Sequence, residues 1–424
     1  MRISTIQTFN TGVRGIQDNY SAAMRTQEQV SSGKRILTPA DDPVASVRLL
    51  QLDQQANKLS QYQDNLTAAT NSLTQQEAVF NSVNFLLDRV REIALEAGNP
   101  AIGPGGRQAL AQELAEREDE LYGLLNSQNA RGEYLFGGFS SDDQPFVREP
   151  GGGYSYQGDE GQRSIQIGSA RTVAINDNGK DLFVDVINVN RLDTAPDAGN
   201  TGSARISLGV VENKNLYDSS DFHPNGSFRI EITADANGDA AGYQILENTS
   251  TPPAPLDPPV TGELEANAHG SYEIRHAGVV VTLDGELHPN DAFSMSVGSG
   301  DRTETRSVLE TVRQLRETLE STDDSTEGKL QRRDMLAVSL QNIDNAMGQI
   351  MGVQTSLGAR LNVIESTSLE HDEASLINEQ IKTELESLDY AEALSRLSMQ
   401  TIILEAAQQS FVKVSGLNLF NFLR

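Results

Sequence analysis

The sequence predicts an α+β fold: an elongated helical rod, packed like a coiled coil from both termini, with a β-rich domain inserted between them. Three observations point there. Apolar residues recur at three- and four-residue steps along both ends of the chain. The middle switches to short alternating runs separated by Gly, Pro, Asn and Asp. The 424 residues include no Trp and no Cys, and aromatics make up only 5%. So few large side chains argue against one compact core and for elongated helical packing.

At the N-terminus, Ile6, Phe9, Val13, Ile16, Tyr20, Ala23 and Val30 mark a heptad seam, with Gln27 in the remaining slot. Ser31 to Arg35 interrupts it. Ile36 to Pro43 reads as a loop feeding a helix, because Pro39 and Pro43 break any continuous one and Asp41 and Asp42 can cap its start. From Val44 to Ala97 there is no Pro or Gly; at 1.5 Å per residue this helix is about 80 Å long. Its stripe is Leu59, Tyr62, Leu66, Ala69, Leu73, Gln76, Phe80, Val83, Leu87, Val90, Ala94 and Ala97. Gly98 to Gly106 ends it with turn chemistry. A second helix is expected from about Arg107 to Ala130, carrying Leu110, Leu114, Leu121 and Leu125.

Between Gly137 and Gly300, strands are predicted for Arg163 to Ile175, Leu182 to Val189, Ser227 to Thr233, Gly242 to Glu247, Ser271 to Leu283 and Phe293 to Val297. Asn237-Gly238 signals a type I′ hairpin. Thr249 to Pro259 reads as a Pro-rich surface loop. Helix resumes near Thr303 with Val308, Val312, Leu315 and Leu319, breaks at Ser321 to Gly328, and restarts near Lys329. Its stripe is Leu336, Leu340, Ile343, Met347, Ile350, Gln354, Leu357, Leu361 and Ile364. Polar Ser368, His371 and Ser375 weaken the pattern before Tyr390, Ala393, Leu397, Gln400, Leu404, Ala407, Phe411 and Val414 restore it. The expected division is therefore nested. Residues 1–40 and 386–424 form terminal arms, 41–136 and 301–385 the helical rod, and 137–300 the β insertion, of which 137–190 can pack on the rod.

The formal charge is −27, from 60 acidic and 33 basic residues. A phosphate-tracking or anionic-lipid surface needs clustered Lys and Arg, so neither nucleic acid nor membrane is an expected partner. The apolar tail from Phe411 to Leu423 has only Lys413 and Arg424 to meet headgroups. No stretch reaches 18 apolar residues, and no apolar h-region of a signal peptide follows Met1. Without Cys there is no thiolate chemistry and no Cys-ligated metal. Asp235 to Asp239 resembles a calcium loop, but Ala240 and Leu246 stand where Gly and a bidentate Glu are needed. His223, His269, His276, His288 and His371 show no metal-ligating spacing. Gly103 to Gly106 lacks the Lys of a phosphate loop, and nothing fixes the separation of Asp323 and Asp324. No catalytic, cofactor or metal residue is expected, and the chain does not read as an enzyme.

The arms carry the functional prediction. Ordering some 35 residues costs more backbone entropy than one apolar stripe returns. The arms are therefore expected to be disordered in the monomer and to fold on assembly. The assembly seam is Ile6, Phe9, Val13, Ile16, Tyr20, Val30, Tyr390, Leu397, Leu404, Phe411, Val414 and Leu417. The alternative is an intramolecular helical hairpin.

Val30-Ser31-Ser32-Gly33-Lys34-Arg35-Ile36 and Ala40-Asp41-Asp42-Pro43 resemble the N-terminal signature of the flagellin-like superfamily. Asn129 to Phe139 (NARGEYLFGGF) resembles the segment that ends the rod helices in its hook–filament junction members. Leu397 to Arg424 is similar to the flagellin-type tail. Gly278 to Gly285 and Asn290 to Phe293 resemble a β segment of hook-associated proteins. The resemblance covers both helical ends and the first β stretch. It implies a structural subunit of the bacterial flagellum that joins hook to filament and adapts the two mechanically. Such a subunit is extracellular, exported unfolded through the flagellar type III channel without a cleaved signal peptide. Its implied partners are other copies in a helical ring, the first hook-associated protein, flagellin, and an export chaperone at the C-terminal helices. Two readings compete: a filament-forming flagellin, and an extracellular binding or enzymatic β module carried on helical arms.

Overall fold

The computed structural model describes residues 2–220, 226–248, 252–267, 270–298, 304–321 and 323–420. Helices come from both chain ends and a sheet-rich region lies between them in sequence, so the fold is α+β. The helices are α1 (Arg2–Ser32), α2 (Pro43–Ala97), α3 (Pro104–Leu125), the short α4 (Lys214–Asp218), α5 (Val308–Ser321), α6 (Thr326–Glu386) and α7 (Tyr390–Phe420). The chain divides into two compact units, residues 1–66 with 167–171 and 365–424, and residues 67–166 with 172–364.

In the first unit α1 packs along α7. Both helices break at matching places, and the breaks pair. Arg35 N donates to Glu386 O (2.7 Å) and Leu388 N to Gly33 O (3.1 Å). α7 restarts because Asp389 Oδ1 accepts from Ala391 N (2.9 Å) and Glu392 N (3.1 Å), an N-cap that satisfies the first free amides. The polar positions Ser368, His371 and Ser375 do not interrupt α6, which runs on to Glu386.

In the second unit the long stripe of α2 is buried from Leu73 through Gln76, Phe80, Val83, Leu87 and Val90 to Ala97. α3 adds Leu110, Leu114, Leu121 and Leu125, α5 adds Val308, Val312, Leu315 and Leu319, and α6 adds Leu336, Ile343, Ile350, Leu357 and Ile364. Ion pairs frame this core: Arg89 clasps Glu113 (2.7 and 3.0 Å), Arg91 meets Asp344 (2.9 Å) and Arg316 meets Glu118 (2.8 Å). α3 stops at Leu125, short of Ala130, because Asn126 caps it and turns the chain: its Nδ2 donates to Tyr122 O and Phe146 O, and its Oδ1 accepts from Phe146 N.

Two small hairpins follow, β1 (Phe146–Arg148) with β2 (Tyr154–Tyr156), and β3 (Ser164–Gln166) with β4 (Thr172–Ala174). The latter replaces the single strand expected over Arg163 to Ile175. The strand expected at Leu182 to Val189 is also corrected, since Lys180–Val184 forms one π-helical turn. The buried apolar residues there are Leu182, Phe183, Val186 and Val189, which do not alternate.

The remaining strands are β5 (Leu192–Pro196), β6 (Arg205–Ile206), β7 (Val210–Val211), β8 (Ser227–Ala234), β9 (Ala240–Glu247), β10 (Ala254–Glu263), β11 (Tyr272–His276), β12 (Val279–Asp284) and β13 (Ala292–Val297). One sheet has the order β10-β9-β8-β13-β5; the other is β11-β12-β6, with β7 also on β12. Alternate residues of both face one core, including Phe228, Ile230 and Ile232 of β8, Val279, Val281 and Leu283 of β12, and Phe293 and Met295 of β13.

Three turn expectations change. The run Ser271 to Leu283 is a hairpin, whose two-residue loop Ala277-Gly278 has φ of 51° and 77°, the signature of a type I′ turn. At Asn237-Gly238 only Gly238 has positive φ (91°). Gly238 N donates to Asp235 O and Asp235 N to Asp239 O, so this loop is a type I turn followed by a left-handed Gly. Part of the Pro-rich segment is strand: β10 lies at the sheet edge, where Pro costs no ladder bond, and it bulges between Pro255 and Val260. Residues 249–251 lie outside the described residues.

Candidate assembly interface

The motif between α1 and α2 folds for identifiable reasons. Gly33 takes φ 71° just past α1, its N–H on Gln29 O (2.9 Å), and a Cβ there would meet the Tyr390 hydroxyl at 2.8 Å. Only Gly fits such a left-handed cap at close approach. Lys34 pairs with Glu386 (2.7 Å). Ile36 buries with Ala45, Leu49 and Leu385. Asp41 Oδ2 accepts from Leu37 N (3.0 Å), Thr38 N (2.8 Å) and Thr38 Oγ1 (3.1 Å), and Asp41 pairs with Arg25 of α1. Burial pushes the Asp41 carboxyl up, but the Thr38 and Leu37 amides, the Thr38 hydroxyl and Arg25 outweigh it and hold the group below its ordinary value. Asp42 Oδ1 accepts from Ala45 N (3.0 Å) and caps α2, with Pro43 as first helical residue.

The seam residues divide into two groups. Val13, Ile16, Val30, Leu397, Leu404 and Phe411 are partly buried. Phe9, Tyr20, Tyr390 and Val414 are each about half exposed. The side chains of Ile6 and Leu417 lie outside the described residues, as do His223, His269 and residues 421–424. Phe411 makes the clearest cross-arm contact, its ring 5.0 Å from Phe9 and pressed on Gly12, where a Cβ would come within 2.9 Å. Along the upper half of α1 the fully buried residues are Ala23, Thr26 and Gln29. Gln29 was missed: its Nε2 donates to Arg35 O (2.7 Å) and ties α1 to the following turn. Gln29 lies about 200° around the helix from Gln27, on the face that the turn after α1 covers, so the seam period gave no signal for it.

Pairing α1 with α7 does not cover their apolar residues. Met399, Ile402, Val412 and Val414 of α7 are 51–70% exposed. Elsewhere in the same unit Val44, Val47 and Leu50 of α2, and Leu369 and Leu376 of α6, are 57–75% exposed. A monomer seldom displays so many large apolar side chains on consecutive helical turns. A cleft of about 880 Å³ in this unit is lined by Arg25, Asp41, Asp42, Asp389, Glu392 and Arg396. Its acids are held by caps and ion pairs, an arrangement suited to fixing the break, not to proton transfer. Among the described residues no three His, Asp or Glu cluster to hold a metal ion, and no helix is long and apolar enough to cross a membrane. His371 stacks on Tyr62 and its Nε2 donates to Ile167 O (2.7 Å). His276 meets Phe228 edge-on.

The NARGEYLFGGF segment forms a tight Ω-like turn in the second unit. Asn129 Oδ1 accepts from Arg131 N (2.8 Å) and Glu133 N (3.1 Å). Gly138 has φ 72°, and a Cβ there would strike Asp159. Asp159 is the clamp: its carboxylate accepts from Phe139 N (2.8 Å), Ser140 N (2.8 Å) and Gly161 N (2.6 Å). The Phe139 amide, helped by those of Gly161 and Ser140, holds the Asp159 carboxyl below its ordinary 3.8, against the upward push of burial. A folded-state value below the unfolded one means the clamp is at full strength above pH 4 and weakens as pH falls through the depressed value. Asp159→Ala is expected to cost about 1–3 kcal/mol, since three amides lose a charged acceptor. Hydrogen exchange at Phe139, Ser140 and Gly161 should accelerate in the variant at pH 7. In the native protein the protection of these amides, corrected for the slower intrinsic exchange in acid, should fall as pH drops through the depressed value. Unchanged protection at all three amides contradicts the clamp.

Residues 3–141 match the bacterial flagellin N-terminal helical region, and residues 340–423 the bacterial flagellin C-terminal helical region. Together they take in more than half of the chain, including both arms and the Gly33–Pro43 and NARGEYLFGGF motifs. The chain belongs to the flagellin-like superfamily. Within this superfamily it is similar to the flagellar hook-associated protein 3 of Salmonella typhimurium, 34% identical over 183 residues, 43% of this chain and 57% of that one. The chain thus aligns with little more than half the length of that relative. Among solved structures it is similar to flagellar hook-associated protein 3 of Legionella pneumophila, with 25% identity, TM-score 0.63 and coverage of 79% of this chain and 98% of that one. The flagellar junction protein FlgL from Legionella pneumophila gives 26% identity and TM-score 0.60, covering 80% and 99%.

Proposed function

We propose that this flagellin-like chain is a structural subunit of the bacterial flagellum at the junction between hook and filament. One observation carries the reading. Both termini match flagellin, and the arms they form leave apolar side chains uncovered after α1 and α7 have packed. Such faces are satisfied by other copies in a helical lattice, where a heterologous contact repeats without closing on itself. The relatives named for the hook-associated and junction proteins support the junction in preference to the filament. On this reading the seam from Phe9 to Val30 and from Tyr390 to Val414 packs against neighbouring copies within the ring. The first hook-associated protein lies on one side and flagellin on the other. The subunit reaches its place unfolded through the flagellar export channel, with a chaperone holding the C-terminal helices. The role is mechanical, and torque passes through packed helices.

Deletion of the gene tests this. The expected cell completes its hooks, sheds flagellin into the medium and does not swim, and the native chain in trans restores filaments. Filaments that still grow on the deleted strain overturn the junction role. Purified chain that polymerises alone into long filaments replaces it with a flagellin.

A further inference from the structure

Within the second unit, a narrow neck and a group of charges join the β5–β13 sandwich to the helices. In the neck, Ile187 bridges Thr305, Asn188 N donates to Glu304 O (2.9 Å) and Arg306 N to Val186 O (2.8 Å). The neck is pinned to α6: Val189 N donates to Asn342 Oδ1 (2.9 Å) and Asn345 Nδ2 to Ile187 O (2.9 Å). Beyond Arg191 the chain enters β5. The sandwich core is built from its own strands and Tyr217 of α4; among the described residues, none of α6 joins it.

Where the sandwich meets α6 again, the contact is electrostatic. Arg333 of α6 reaches Asp284 at the end of β12 with both guanidinium ends (3.0 and 2.5 Å). The next residue, Asp334, pairs with Arg205 of β6 (3.0 Å), which also reaches Glu327 (3.2 Å). Ser271 Oγ donates to Asp284 Oδ1 (2.6 Å). The sandwich thus presents one acid and one arginine, and α6 answers with one arginine and two acids. The carboxylates of Asp284 and Asp334 are only 8% and 6% exposed. Open clefts of about 400 and 650 Å³ flank the group, the first lined by Glu212, Glu273 and Arg275 as well as Val280 and Ala337, the second by Arg306, Gln331 and Met335. The orientation therefore rests on directional bonds. A bidentate guanidinium–carboxylate pair fixes an angle as well as a distance. Loss of one partner strands a buried charge, which favours separation.

We propose that the Asp284–Arg333 and Arg205–Asp334 pairs are a latch that sets the sandwich's orientation on α6 and can release it with both parts still folded. This inference does not depend on the flagellar reading. Because the chain has no Cys, spin labels can be placed cleanly at Asn237→Cys in the β8–β9 loop and Glu116→Cys on α3, both exposed. Pulsed electron–electron resonance then reads the distance distribution in the full chain. A narrow distribution is expected for the parent. Arg333→Gln and Asp284→Asn should each broaden it, lowering the docked-to-released ratio on the order of tenfold. The double variant should be no broader than the worse single one, because the two residues form one bond. Three results overturn the latch: a parent already as broad as the variants, single variants that leave the distribution unchanged, or additive broadening in the double variant. Loss of cooperative melting in Arg333→Gln also overturns it, by placing the cluster in the stability of the fold.

Discussion

Phe411→Asp abolishes motility and loosens the pairing of α1 with α7 in the purified chain. The ring of Phe411 lies 5.0 Å from that of Phe9 and against the bare backbone of Gly12. The substitution removes most of this apolar contact and places a carboxylate within it. For a half-buried aromatic the loss is about 2 kcal/mol or more. Two helices joined through one narrow strip have little else to offset it. Far-UV circular dichroism should show reduced helix, and the variant gene should fail to restore swimming to a deletion strain. Val412→Asp is the control. Val412 is 70% exposed, so its variant keeps the helical signal of the isolated chain. If Val412→Asp nevertheless fails to assemble, that face is covered by a neighbouring copy. Normal swimming with Phe411→Asp would remove the arm packing from the account.

Much of this was legible before any coordinates, because heptad and helical periods are local. The stripe from Leu59 to Ala97 is buried almost residue by residue; only Tyr62 stays partly open, stacked on His371. The caps at Asp41 and Asp42 and the breaks at Gly33 and Gly98 follow from chain chemistry alone. Errors arose where tertiary context chose among equally local options. Leu182 to Val189 is apolar enough for a strand, yet its first part closes one helical turn that buries Phe183 against Phe80 and Phe136. Asn237-Gly238 is not the I′ loop and Ala277-Gly278, read only as strand, is, since the strand register, and not the dipeptide, sets which hairpin takes it. Short strands such as β6 and β7 escaped notice because two residues carry no period. Gln76 is the amide-bearing member of that stripe. It is fully buried and donates to Leu135 O (3.3 Å), tying α2 to the NARGEYLFGGF turn. The latch at Asp284 and Arg333 joins residues 49 apart in sequence, and no spacing rule reaches that far.

That same turn is the basis of the second large effect, Phe80→Ala. Phe80 is fully buried among the rings of Phe136 (5.7 Å between centroids) and Phe183 (6.5 Å), and Phe136 meets Phe183 edge-on at 5.1 Å. Phe136 and Phe183 come from segments outside the helices, so Phe80 is the post on which both rest. Truncation removes the burial of one ring and leaves a hole its neighbours cannot close without leaving their own contacts. The expected cost is about 3–5 kcal/mol, a large share of the roughly 5–15 kcal/mol that holds a domain. Denaturant unfolding should show a lower midpoint. Exchange should rise at the Gly179 amide, which donates to Phe136 O (2.9 Å), before it rises in the sandwich. Phe85 supplies the comparison on the same helix, since it is 76% exposed and five residues on, which turns it to the opposite face. Phe85→Ala should stay within about 0.5 kcal/mol of the native chain. Equal costs at the two positions would mean that the ring cluster does not anchor the turn to α2.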